Sequence, residues 1–138
     1  MTSVHVAETT SVDIQSDQDV VRVRQATRSL AVGAALSLVD QTKIVTATSE
    51  LARNTLIYGG GGTAVLELVE NGSRRGVRAR FADTGPGIDD ITLALSDGYT
   101  TGNGLGLGLS GAKRLVDEFG IDSAPGAGTT VTIIKWGR

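Results

Sequence analysis

Apolar residues recur along the chain with two spacings, and the switches between them mark out its elements. Ser11 to Gln15 alternates Val12 and Ile14 with polar neighbours, the period of a short strand. The ten residues before it are polar and threonine-rich, a lead-in or a short edge strand. From Asp17 the spacing becomes helical, with Val20, Val23, Ala26, Leu30 and Ala34 on one stripe running to about Ala35. Ser37 then reads as an N-cap, with Asp40 three residues on as in a capping box. The helix it opens carries Val39, Ile44, Val45, Ala47, Leu51 and Ala52 to about Tyr58, where Gly59-Gly60-Gly61-Gly62 ends it. That run reads as a flexible connection, with an ordered ligand contact as the alternative.

Two strand-like segments follow, Thr63 to Val69 and Gly76 to Ala82, predicting a hairpin with a loop of four to six residues around Asn71-Gly72. A glycine-rich stretch from Asp83 to Gly87 precedes a short helix from about Asp89 to Leu95. A second, Gly98 to Gly111, opens another helix with Ala112, Leu115, Val116 and Phe119 on its apolar face. Two last strands, Gly120 to Ser123 and Gly128 to Lys135, flank Pro125-Gly126. The expected order is β-α-α-β-β-α-α-β-β. It suits an α+β, two-layer sandwich with helices on one face of a mixed, mainly antiparallel sheet. No repeat or linker divides it, so residues 1–10 are expected as lead-in and 11–138 as a single domain.

Composition narrows the classes. The chain has 138 residues, 40% hydrophobic and 20% charged, with a formal net charge of -2 and a mean hydropathy of +0.05. That is a soluble, globular balance, and it argues against bulk binding to nucleic acid or an anionic membrane. No apolar run approaches a membrane span, and no signal peptide is visible, so a cytoplasmic location is expected. With no cysteine, disulfides, thiolate metal sites and cysteine nucleophiles are excluded together. Nineteen glycines stand out, about 14% of the chain against roughly 7% in ordinary proteins, and they cluster.

Three segments are candidates for chemistry. Glu50 and Asn54 are four apart on the second helix, so they share a face with Cβ atoms roughly 5–6 Å apart. A carboxylate beside an amide oxygen suits orienting a hydroxyl and holding a hard cation such as magnesium, although such pairs are commonly just a solvated helix face. In Asp83-Thr84-Gly85-Pro86-Gly87, Pro86 and Gly87 fit the central positions of a type II turn. Asp83 beneath it can accept from an exocyclic amine, or merely cap the turn. In Gly102 to Gly111 glycine and leucine alternate, leaving backbone N–H groups open ahead of a helix N-terminus that favours phosphate. Asp97, Tyr99, Thr100 and Thr101 before it read as a short mobile lid; the alternative is a glycine-rich loop without ligand. Gly106, Gly108 and Gly111 also have the spacing of a dinucleotide fold. A polar loop precedes them, however, and only 27 residues of the 138 follow Gly111, too few for that fold.

In this order the three segments resemble the N-box, G1 box and G2 box of the GHKL ATP-binding superfamily, with its Bergerat-type fold. Within it the chain is similar to the anti-sigma regulatory kinases, and most of all to the stressosome switch serine/threonine kinases (RsbT type). The similarity lies in SELARN at 49–54, DTGPGI at 83–88, GLGLGL at 104–109 and GAKRLVDEF at 111–119. It implies ATP and Mg²⁺ as cofactors, Asn54 as the Mg²⁺ ligand, and Glu50 as the catalytic residue that orients or deprotonates the attacking hydroxyl. It implies Asp83 on the adenine amine, Gly85 and Gly87 shaping that pocket, Gly104, Gly106 and Gly108 facing the phosphates, and Thr129 supporting the adenine end.

The activity implied is ATP-dependent phosphorylation of STAS-domain scaffold and antagonist proteins on serine or threonine, with control of a PP2C-type phosphatase. An anti-sigma factor with kinase activity towards a STAS-domain antagonist is the alternative, and a nucleotide-binding adaptor without transfer is a third class. His5, in the polar lead-in, is expected at the surface, which leaves no histidine for a phosphohistidine relay. Between Asp89 and Gly111 there is no arginine or lysine, so a cation for the γ-phosphate must be Arg53, Lys113, Arg114 or a partner's residue.

Overall fold

The computed structural model describes residues 4–88 and 105–137. They form β1 (His5–Ile14), α1 (Asp17–Gly33), α2 (Leu38–Ile57), β2 (Gly62–Asn71), β3 (Arg74–Asp83), α3 (Leu105–Leu115), β4 (Glu118–Ser123) and β5 (Thr129–Trp136). The sheet order is β1-β2-β3-β5-β4, and every pairing is antiparallel. The helices cover one face, with α2 between α1 and α3. The expected helix at Asp89 to Leu95 and the lid residues Asp97 to Thr101 lie outside the described residues.

The core sits between the layers. Leu30, Ile44 and Leu51 from the helices meet Leu66, Val77, Phe81 and Ile133 from the sheet. Each such buried side chain contributes about 1.5–3 kcal/mol relative to exposure. A smaller cluster of Val69, Ile134 and Trp136 lies apart from it. There the Trp136 indole N–H donates to Glu118 at 2.7 Å, and the Arg74 guanidinium lies 5.0 Å from the ring centroid.

Four boundaries differ from the sequence expectation. β1 begins at His5, so most of the presumed lead-in is edge strand. Its outer positions are threonine and glutamate because one side faces water, and His5 itself is exposed. The β2–β3 loop has two residues, Gly72 and Ser73, with Gly72 at φ +64; a glycine there suits a type II′ turn and needs no longer loop. Helix α3 starts at Leu105 rather than near Gly111. Phe119 belongs to β4, though it still packs on the core.

Helix ends follow local chemistry. Ser37 Oγ accepts from the Asp40 N–H at 3.1 Å, the expected cap. The Asp40 carboxylate pairs instead with Lys135, 3.6 Å away and only 7% exposed, whose Nζ also lies 3.3 Å from Asp117. This ties the start of α2 to β5. At the end of α1, Leu36 N–H donates to Ala31 and Ala35 N–H to Val32, both at 3.0 Å, a Schellman motif. Ala35 holds the left-handed position at φ +59.

Asp19, in the first turn of α1, accepts from the Gln15 N–H at 2.9 Å and from Arg22 at 2.7 Å. Its carboxyl is held below the ordinary 3.8, chiefly by the Gln15 bond, with Ser16 and Arg22 adding to it against the cost of burial. A depressed folded value means the stabilisation is complete above the unfolded value and is lost as pH falls through the folded one. Wild-type Tm should therefore drop between about pH 5 and pH 3. An Asp19→Asn variant should start lower and lose less over that window, as thermal melts across pH would show.

Candidate active site

One cross-strand row supplies two neighbouring residues of the site's wall. Ile14, Gly62, Asp83, Thr129 and Ser123 are successive register partners across β1, β2, β3, β5 and β4. Directly opposed residues share a sheet face, with Cβ atoms roughly 4.5–5.5 Å apart. Asp83 and Thr129 therefore face the same cavity, of about 390 Å³, bordered also by Asn54, Tyr58, Gly59, Phe81 and Leu109.

Asp83 is fixed by backbone. Its Oδ1 accepts from the Gly85 N–H at 2.9 Å, and a methyl on Gly59 would overlap its carboxyl. Gly85 in turn packs on Gly59, where a Cβ would stand 2.8 Å from the Gly59 Cα. In the four-glycine exit of α2, Gly59, Gly61 and Gly62 are therefore closely packed rather than slack, while Gly60 faces open space. Gly60 and Gly61 turn the chain at φ +73 and +107, and Gly61 N–H returns to Thr55 O at 3.0 Å. Gly87 takes the left-handed φ of +78 expected in its turn, and Gly126 N–H donates to Pro86 O at 2.7 Å.

The second wall is α2. Leu51, Ala52 and Thr55 are buried towards the core, leaving Glu50 and Asn54 on one face as the spacing predicts. Asn54 Nδ2 is buried and has no hydrogen-bond partner among the described residues. Gly108 on α3 covers it, since a Cβ there would lie 2.7 Å from that nitrogen. Buried amide groups without partners are rare, and one bordering a cavity fits a site completed by a ligand. Glu50 lies one helical turn away with 40% of its side chain exposed, 3.5 Å from Arg53. Beside it Arg24 Nε donates to Ser49 Oγ at 3.1 Å.

Of the expected site residues, Asn54, Asp83, Gly87 and Thr129 border the cavity together. Gly85 lies behind Asp83 and Gly108 over Asn54. Gly106 falls in the first turn of α3, and Gly104 lies outside the described residues. Of the candidate cations, Arg53 is the one paired at Glu50; Lys113 and Arg114 occupy the last turn of α3, where they complement its dipole. Sequence reasoning missed Ser123. No local pattern marks it, because it reaches the site through partners outside its immediate neighbourhood, the register partner Thr129 and the Ile88 N–H.

The hard oxygen donor Asn54 Oδ1 fits a magnesium ion, and the unpartnered Nδ2 of the same amide, a donor, fits a phosphate oxygen. Among the described residues no cluster of three or more acidic, histidine or cysteine side chains could hold a metal by itself. Such an ion would take its other ligands from water and substrate phosphates.

The histidine kinase-, DNA gyrase B- and HSP90-like ATPase family matches residues 39–136, from the start of α2 to the end of the sheet. The chain belongs to that family. It is 44% identical over 127 residues to the serine/threonine-protein kinase RsbT of Bacillus subtilis (strain 168), covering 92% of this chain and 96% of that one. It is 30% identical over 99 residues to the anti-sigma F factor of Thermoanaerobacter sp. (strain X514), 67% of this chain and 68% of the relative. The crystal structure of the RsbU and RsbW domains of Rv1364c from Mycobacterium tuberculosis shares the fold. Its TM-score is 0.64 at 23% identity, over 94% of this chain and 32% of the larger one. Membership in an ATPase family accounts for a cavity with an anchored carboxylate at one end and an unpartnered amide in its wall. Among the described residues no helix is long and apolar enough to cross a membrane.

Proposed function

We propose that the chain is an ATP- and Mg²⁺-dependent protein serine/threonine kinase of a cytoplasmic partner-switching pathway, acting on STAS-domain proteins and controlling a PP2C-type phosphatase. The observation that carries this reading is the convergence of Asn54, Asp83 and Thr129 on one cavity, with Glu50 a turn of helix away. The 44% identity to a serine/threonine kinase over 92% of the chain supports it.

Each residue has work to do in that reaction. Asp83 accepts from the base amine with the oxygen that Gly85 leaves open. Asn54 Oδ1 holds the cation, and its unpaired Nδ2 is available to a phosphate oxygen. Bound MgATP supplies the phosphoryl group and the charge neutralisation that transfer depends on. Glu50 orients the incoming serine or threonine hydroxyl and takes up its proton. Its contact with Arg53 is long and exposed, the kind of pair that holds weakly and opens readily.

The test is γ-labelled ATP with Mg²⁺ and a STAS-domain protein from the same genome. Label on a serine or threonine of that protein is the expected result, with PP2C-type phosphatase activity rising when the kinase is released. ATP binding with no label on any STAS partner would favour a nucleotide-binding adaptor. The match to an anti-sigma F factor favours a second reading, sequestration of a sigma factor, at lower identity and over less of the chain. A sigma-factor pull-down separates the two.

A further inference from the structure

The polar groups at the β4–β5 end of the cavity meet at one hydroxyl, that of Ser123. Its Oγ lies 2.9 Å from the Ile88 backbone nitrogen, 2.9 Å from the Gly128 carbonyl oxygen and 2.8 Å from Thr129 Oγ1. A serine hydroxyl has one hydrogen to give and two lone pairs. The Gly128 carbonyl can only accept, so it takes the hydrogen. The Ile88 N–H can only donate, so it fills one lone pair. The second lone pair is left for Thr129, whose hydroxyl must then be the donor. With its hydrogen engaged, Thr129 presents lone pairs alone to the cavity it borders. Asp83, its register partner, is acceptor-only as a carboxylate.

We infer that Ser123 is a specificity-determining positioning residue: by holding the Thr129 hydrogen, it makes the inner end of the cavity select a 6-amino purine and reject a 6-oxo purine. This rests on the nucleotide reading above. A 6-amino group brings two N–H donors to a wall of acceptors. A 6-oxo group sets a further acceptor against that wall, and the N1–H beside it can pair with only one of the two acceptors, so the other is left opposed, the situation in which a polar site discriminates strongly. Without Ser123 the Thr129 hydroxyl rotates freely and can donate to the oxo group.

The test compares equilibrium binding of ATP and ITP to the wild type, Ser123→Ala, Thr129→Val and the double variant. Ser123→Ala should lower the preference for ATP over ITP by about tenfold, the worth of one hydrogen bond. In the Thr129→Val background the same change should leave the ratio where it is, because Ser123 acts through Thr129. Ser123→Thr, which keeps the hydroxyl, should keep the wild-type ratio even if its melting temperature falls. Equal loss of ATP and ITP affinity in Ser123→Ala would overturn the inference, reducing Ser123 to a prop for Ile88. So would a wild type that binds ITP as tightly as ATP. A wild type that binds neither nucleotide would instead overturn the nucleotide reading beneath it.

Discussion

Glu50→Ala is expected to slow phosphoryl transfer to the protein substrate by roughly 10²–10⁴-fold, the usual worth of a general base, while ATP affinity changes little. The separation of effects follows from position. Glu50 is outside the cavity wall and 40% of its side chain is exposed, so neither the core nor the base end depends on it. The pair with Arg53 adds little stability, and thermal melts of the variant should overlay the wild type. Single-turnover transfer beside equilibrium nucleotide binding would show the split. Parallel loss of both would move Glu50 from proton transfer to nucleotide binding.

Asp83→Asn is the complementary case. It should weaken ATP binding by roughly ten- to a hundredfold, the range of a hydrogen bond to a charged group, and transfer should fall mainly through KM. The carboxylate accepts from Gly85 N–H and lies against Gly59. An amide in that place must turn its oxygen to one partner and its nitrogen to the other, so the base amine or the Gly85 N–H meets a donor. Calorimetric titration with ATP would measure the loss. Unchanged affinity would mean that the base sits elsewhere.

How far these two residues were legible depends on how local their signals are. Glu50 and Asn54 stand in a strongly periodic helix, so their shared face follows from spacing alone. Asp83 was visible as the polar end of an apolar strand entering a glycine turn. The misread elements are those set by tertiary partners. β1 is an edge strand with few apolar residues, so His5 to Thr10 lacked alternation to reveal it. The first turn of α3 is rich in glycine and reads as loop; Leu109 and Ala112, both in the core, tie the helix to the domain. Gly59 reads as slack because its reason, the Asp83 carboxyl packed against it, stands at the end of β3, far along the sequence. Ser123 was invisible for the same cause, since register is not written in its neighbours.

The row that carries Asp83 and Thr129 also dictates when the site can exist. Ile14 meets Gly62, and Asp83 meets Thr129, across separations of about 48 and 46 residues. Pairings of that span close large loops and form slowly compared with hairpins or single helices. A chain emerging from synthesis can complete the α1–α2 hairpin and the β2–β3 ribbon long before Thr129 arrives opposite Asp83. Nucleotide, abundant throughout, then finds a competent pocket only on the finished fold, and its binding should slow unfolding far more than it speeds folding.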